Sequence, residues 1–295
     1  MTSIRVRSFA KLNLALDVLD KRPDGYHNIE SVIQPISLYD DLLISHREDA
    51  EVTVRTNDES VPSGKGNLAH SACVMFLKAA RVGAGVDIEI TKAIPAQAGL
   101  GGGSGNAAAA LVSLNEMHGR PLGPSEMQKL CWNLGSDVPF FLAGGTAFVS
   151  GRGETVSPLP DCQLDFVIVK PAFGVSTGWA YSRLSPARTW AYASRTLAEA
   201  LVCGERERIA ASMSNDFQPV VEEDYPEVAE IRKALLELGA DGAMLAGSGS
   251  AVFGVFLHDG CCEQAYEALK GKYAQVYRAR SVSRRELPRR EPAGG

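Results

Sequence analysis

The sequence predicts a two-domain protein built from both strands and helices, and three observations carry that prediction. Its 295 residues are about twice the ~150 residues of a common domain. Apolar positions alternate with period two in some stretches and follow the helical stripe in others. Between residues 151 and 163 the composition loosens into glycines, prolines and few apolar side chains. The loosening places a boundary near Gln163 and predicts domains at 1–163 and 164–280. Beyond Ser281, serine and arginine dominate, and residues 281–295 are expected to form a disordered basic tail.

Taken in order, Leu12, Leu14, Leu16 and Val18 alternate with Lys11, Asn13, Ala15 and Asp17. Residues 11–18 therefore form a half-buried strand with Lys11 and Asn13 opposite the leucines. Asp24-Gly25 is a turn signal, followed by Tyr26 and His27. Strands are expected at 31–36, 42–45, 52–55 and 86–91. Between the last two, Asn67 is a helix cap, with Leu68, Ala72, Phe76 and Ala79 on one face. A glycine-rich stretch follows, then an alanine-rich helix that starts at Ser104 or Asn106 and ends near Met117. A second helix runs from 125 to 134, where Gly135 stops it. In the second half, strands at 164–169, 243–246, 251–256 and 275–280 alternate with helices at 226–238 and 261–272. The Gly247-Ser-Gly249 turn joins the middle two strands.

Composition narrows the function. Apolar residues make up 45% and charged residues 22%, ordinary for a globular protein large enough to need no disulfide or metal staple. Thirty basic against 35 acidic side chains leave a net charge of -5. That balance disfavours a nucleic-acid partner, whose phosphates need neutralising. The six cysteines form no C-x-x-C pair and suggest neither a zinc site nor a secreted scaffold. The N-terminus carries no signal-peptide core, and no apolar stretch is long enough to span a bilayer. The expectation is a soluble cytoplasmic protein with no membrane partner.

The strongest chemical signal is the run of glycines over 99–105. Glycine allows positive φ and close approach, so successive N–H groups can converge on an anion, and a following helix adds its N-terminal amides. A flexible linker would be out of place between a strand and a helix. The P-loop pattern fails because no lysine follows Gly103, and the dinucleotide fingerprint fails because its third glycine falls on Ser104 or Asn106. Asp137, between a helix end and Pro139, could take a proton from an alcohol or bond turn amides. Lys11 could stabilise a transferring phosphoryl group or be solvated.

In combination these motifs resemble the GHMP kinases, the family of galactokinase, homoserine kinase, mevalonate kinase and phosphomevalonate kinase. Pro95-Ala-Gln-Ala-Gly-Leu-Gly-Gly-Gly-Ser104 matches the family's middle motif, and Ala246-Gly-Ser-Gly-Ser250 matches its C-terminal glycine turn. Ala10-Lys-Leu-Asn-Leu14, Lys21-Arg-Pro-Asp-Gly-Tyr-His27, Gly135-Ser-Asp-Val-Pro-Phe-Phe141 and Asn215-Asp-Phe217 are similar to members that phosphorylate an erythritol joined to cytidine diphosphate. The resemblance implies an α+β fold with a ribosomal-protein-S5-like N-terminal domain and a ferredoxin-like C-terminal domain. It implies ATP and Mg2+ as cofactors and a small cytidine-diphosphate substrate in the cleft between the domains.

Carried over by position, Lys11 and Asp137 match the catalytic pair. Pro95, Ala96, Gln97, Ala98, Gly99, Leu100, Gly101, Gly102, Gly103, Ser104 and Gly105 match the ATP phosphate-binding stretch. Asn13, Tyr26, His27 and Tyr181 match substrate-binding positions, with Tyr26 and Tyr181 expected to sandwich the cytosine. Gly105 departs from the family, which has a second serine there. Rival functions are another kinase of the same family and a non-catalytic ligand sensor. The Gly-Tyr-His and Gly-Ser-Asp-Val-Pro sets argue against the first, and retention of both Lys11 and Asp137 against the second.

Overall fold

The computed structural model describes residues 3–184, 192–258 and 260–286, and the backbone of 291–292. The chain opens on a long antiparallel pair, β1 (Ser3–Lys21) and β2 (His27–Arg47). The two strands expected at 31–36 and 42–45 are one. The register jumps from Phe9 opposite Tyr39 to Ala10 opposite Ile36, so residues 37 and 38 form a bulge. That bulge breaks the period-two pattern, so the sequence looked like two strands.

β3 (Val52–Thr56) and β4 (Gly85–Thr91) pair in parallel across the crossover helix α1 (Leu68–Ala80). Asn67 caps α1 as expected, its side-chain oxygen accepting from Ala69 N at 2.9 Å. Helices α2 (Gly102–Met117), α3 (Pro124–Leu134) and α4 (Val138–Ala143) follow. Next come β5 (Ala147–Gly151), which pairs with β2, and β6 (Thr155–Pro158), which pairs with β5. α1 and α2 bury Phe76, Ala107 and Leu111 against Ile44, Ile88 and their neighbours.

α2 begins at Gly102, earlier than the expected Ser104 or Asn106. Its early glycines serve packing: a Cβ on Gly102 would lie 3.0 Å from Ile94 Cγ2, and one on Gly105 2.7 Å from Ser8 Oγ. Composition alone could not separate glycines that free a loop from glycines that bring a helix close.

The second half supplies β7 (Asp165–Lys170), α5 (Thr177–Arg183), α6 (Ala193–Cys203), α7 (Arg206–Ala211) and β8 (Ser214–Asn215). α8 (Gln218–Asp224), α9 (Pro226–Glu237), β9 (Gly242–Leu245) and β10 (Val252–Phe256) come next. α10 (Cys261–Lys270), β11 (Gln275–Arg280) and the short β12 (Glu291–Pro292) complete it. A four-stranded antiparallel sheet runs β11-β7-β10-β9. Val167, Val169 and Val252 face Ile231, Leu235 and Ala265. Phe166, Ile168 and Phe253 face Ala10, Leu12 and Leu14 of β1. Both faces of β7 are covered, which accounts for its unbroken apolar run.

Residues 159–164 link β6 of one sheet to β7 of the other, and the two sheets share a core across β1. β8 crosses back to pair with Ala15 and Leu16 of β1. The tail expectation needs correcting for 281–286. Ser281 and Val282 are buried. Leu164 N donates to Ser281 Oγ at 2.9 Å, and Val282 N donates to Pro35 O at 2.9 Å. One apolar side chain among arginines carries no periodic signal, yet Val282 closes the seam between the sheets. The backbone of Glu291–Pro292 pairs with Ile4 and Arg5; residues 287–290 and 293–295 lie outside the described ones. No helix among the described residues is long and apolar enough to cross a membrane.

Candidate active site

A cleft of about 490 Å³ runs between the two sheets. It is lined by residues of the 60–68 and 95–104 segments, by Lys11, Asn13 and Asp137, and by Tyr181, Phe217 and Gly247.

Lys11 is brought there by β1, with its side chain only 5% exposed and Nζ 3.6 Å from Asp137 Oδ2. A buried ammonium needs acceptors, and Nζ also donates to Asn13 Oδ1 at 2.6 Å. Asn13 is itself fixed, since Nδ2 donates to Ser31 Oγ at 2.8 Å and that hydroxyl donates to Ala15 O at 2.7 Å. This relay leaves the Asn13 carbonyl oxygen facing Lys11. Asp137 holds the residue before α4 but makes no side-chain cap bond. The turn-amide role weighed for it is therefore not the one it plays. Its carboxylate is 39% exposed and opens into the cleft.

The glycine stretch is clamped between β1 and the second glycine turn. Lys11 N donates to Leu100 O at 3.0 Å, and Ala251 N donates to Ala98 O at 3.3 Å. Gly99 has φ +76°, and a Cβ there would sit 1.9 Å from Ala246 O, so only glycine fits. Gly101, at φ +72°, precedes α2 and offers no side-chain cap, and the first turn of α2 holds no acid. The amides of Gly102, Gly103 and Ser104 thus face the cleft as an uncapped helix N-terminus, a favourable seat for phosphate.

Several contributors escaped the sequence reading. Lys92 has a side chain 6% exposed and pairs with the fully buried Asp40, and it lines the cleft beside Gly102. Asn215 donates from Nδ2 to Leu245 O at 2.9 Å and Gly247 O at 2.7 Å, holding the second glycine turn over Lys11. Lys170, buried at the end of β7, donates to Pro171 O at 2.7 Å and to Phe173 O at 2.5 Å. Burial pushes its ammonium below the usual lysine range. Ser250 Oγ donates to the same Phe173 carbonyl at 2.7 Å, joining the segment before α5 to the glycine turn. Of these, Asn215 and Ser250 had a signal, as parts of motifs, and the two lysines had none.

The two tyrosines expected to sandwich the cytosine meet different neighbours. Tyr181 lines the cleft and meets Phe217 edge-on at 4.8 Å. The ring stacked on Tyr181 is that of His27, at 5.1 Å and 22°. Tyr26 is half exposed and lies under the Arg152 guanidinium, 3.5 Å from its ring centroid.

The cleft has few carboxylates, and no cluster of three or more metal-binding side chains occurs among the described residues. That suits Mg2+ carried mainly by nucleotide phosphates, which needs only one or two protein oxygens. Asp137 and Ser104 both line the cleft and carry oxygens of that kind.

Comparison with known proteins identifies the family. Residues 67–145 match the model of the GHMP kinases N terminal domain, and residues 197–275 that of the GHMP kinases C terminal domain. The chain is 47% identical over 248 residues to the 4-diphosphocytidyl-2-C-methyl-D-erythritol kinase of Pelotomaculum thermopropionicum, covering 83% of this chain and 86% of the relative. It is 38% identical over 288 residues to that of Alkaliphilus metalliredigens, covering 97% and 99%. A crystal structure of 4-(cytidine 5'-diphospho)-2C-methyl-D-erythritol kinase superposes with a TM-score of 0.79 at 31% identity, covering 95% of this chain and 99% of that one. The homoserine kinase of Cytophaga hutchinsonii also gives 0.79, but at 19% identity, a likeness of fold alone. The chain belongs to the GHMP kinases, within the family of the 4-diphosphocytidyl-2-C-methyl-D-erythritol kinases.

Proposed function

We propose that the protein transfers the γ-phosphoryl group of ATP to the 2-hydroxyl of 4-diphosphocytidyl-2-C-methyl-D-erythritol, a step of non-mevalonate isoprenoid precursor synthesis. The observation that carries the mechanism is the Lys11–Asp137 pair, 3.6 Å apart, at the mouth of an uncapped helix N-terminus. Phosphoryl transfer needs alignment and charge neutralisation more than covalent help. Asp137 orients the hydroxyl and accepts its proton as the new O–P bond forms and the bond to the β-phosphate oxygen breaks, releasing ADP. Lys11 neutralises charge on the transferring group, and the Asn13–Ser31 relay holds its ammonium in place. The first amides of α2, with the backbone of 95–105, hold the phosphates. Mg2+, borne by the phosphates and met by Asp137 and Ser104, would supply further charge neutralisation.

The nucleoside of ATP extends along the 60–68 segment, which lines the same cleft as the phosphate seat. Cytosine occupies the aromatic end: the His27 ring gives up the face of Tyr181 to the base and turns its nitrogens to the base edge. Tyr26, steadied by Arg152, covers the other face.

Incubation with ATP, Mg2+ and each of 4-diphosphocytidyl-methylerythritol, homoserine and mevalonate, followed by ADP release, tests this function. Release with the cytidine substrate alone is the expected result. Release with either control alcohol overturns the substrate, and release with none overturns the kinase assignment.

A further inference from the structure

Two ammonium groups flank the start of α2, and only Lys11 is used by the mechanism above. The second belongs to Lys92, which follows β4. Its Nζ lies 3.2 Å from where a Cβ on Gly102 would sit, against the first residue of the helix. Its bonded partner among the described residues is Asp40. An ammonium has three donors, so two N–H groups of a side chain only 6% exposed are left without a protein acceptor among the described residues. Asp40 is already well satisfied, its Oδ1 accepting from Ala93 N at 2.8 Å and Ile94 N at 2.9 Å.

The position is electrostatically unfavourable in the absence of an anion. A helix N-terminus carries partial positive charge and repels a cation, and burying an ammonium with spare donors costs free energy. A counter-ion for Asp40 alone would not need to reach the cleft, yet Lys92 lines it together with Gly102 and Gly103. An arriving polyphosphate satisfies the helix amides and the idle ammonium donors at once.

The two lysines also meet different residues of the glycine stretch. Lys11 packs its Cγ 3.0 Å from the Cβ position of Gly101 and extends to Asp137, where the alcohol reacts. Lys92 meets Gly102 instead, and its backbone N donates to Asn57 Oδ1 at 2.7 Å, shortly before the 60–68 segment that lines the cleft with it. We propose that Lys92 binds the leaving diphosphate of the nucleotide, an assignment that rests on the kinase function above. As the bond between the γ-phosphorus and its bridging oxygen breaks, charge collects on the β-phosphate, and Lys92 neutralises it there.

The test is ADP affinity, measured by calorimetry on the full chain. Lys92→Gln is expected to raise the Kd for ADP at least tenfold while the KM for the cytidine substrate stays within twofold. Lys92→Arg is expected to bring ADP affinity back to within threefold of the parent protein. A folded Lys92→Gln variant that binds ADP as tightly as the parent overturns the proposal. Should that variant fail to fold, the parent protein labelled with 15N-lysine decides the matter. An ammonium resonance assigned to Lys92 that shifts with ADP, and not with the alcohol substrate, supports the assignment, and one unmoved by ADP overturns it. Failure of the parent protein to bind ADP at all overturns the kinase function itself, and Lys92's role with it.

Discussion

The Ser8 hydroxyl occupies the space that a side chain at position 105 would need: a Cβ on Gly105 would lie 2.7 Å from Ser8 Oγ and 3.3 Å from Phe9 O. Ser8 is 4% exposed, and its Oγ has no hydrogen-bond partner among the described residues. Glycine at 105, where the resemblance leads to the expectation of a serine, fits the close approach of its neighbour on β1.

The two positions should therefore be coupled. Gly105→Ser is expected to destabilise the protein by about 1–3 kcal/mol, as overpacking does. Ser8→Ala should be neutral or slightly stabilising, because it removes a desolvated, unbonded hydroxyl. The double variant should return close to the parent's stability, giving a favourable coupling in a denaturant-unfolding cycle. Additive effects of the two changes would refute the packing argument.

Asp137→Asn removes the proton acceptor and keeps the shape. Because Asp137 caps nothing and is 39% exposed, the fold should be unaffected. General-base removal lowers turnover by about 10²–10⁴-fold, so kcat should fall by that much with ADP affinity retained. Turnover within tenfold of the parent would remove Asp137 from the base role.

How legible the site was depended on how each residue is held. Lys11, Asp137 and the glycine stretch stand in dense local motifs, and the structure gathers them into one cleft. Lys92 and Lys170 are held by partners far away in sequence or by bare carbonyls, such as Asp40, 52 positions earlier, so no local pattern marked them. The helices were legible in outline because their stripes are long. The start of α2 was misplaced because glycine composition is the same for a loop and for a closely packed first turn. The merged β2 and the buried Val282 depend on a bulge and on a seam between sheets, both products of tertiary packing.

Tyr181→Ala tests the aromatic end of the cleft. Stacking on an aromatic ring contributes about 1–3 kcal/mol per base, so the KM for the cytidine substrate should rise roughly five- to hundredfold at unchanged KM for ATP. Because His27 stacks on Tyr181, the variant should also shift the His27 ring resonances of the free protein. A normal KM for the cytidine substrate would remove Tyr181 from base recognition.

The last prediction concerns acid stability. His46 on β2 and His118 at the end of α2 meet edge-to-face at 4.7 Å, and Phe76 lies 5.9 Å from His118. Burial pushes both imidazoles below the ordinary value of 6.5, and for His118 the neighbouring His46 adds to the effect. Each ring therefore binds fewer protons in the folded chain than in the unfolded one over the interval between its native value and 6.5. Stability rises with pH wherever the unfolded state binds more protons. The contribution is fully present above 6.5 and is lost as the pH falls through the lowered native values. The urea midpoint should accordingly drop between pH 7.5 and 5.5, ahead of any loss from carboxylate protonation. The double variant His46→Gln/His118→Gln should show a flatter midpoint over that interval, and an unchanged slope would show that this histidine pair does not govern it.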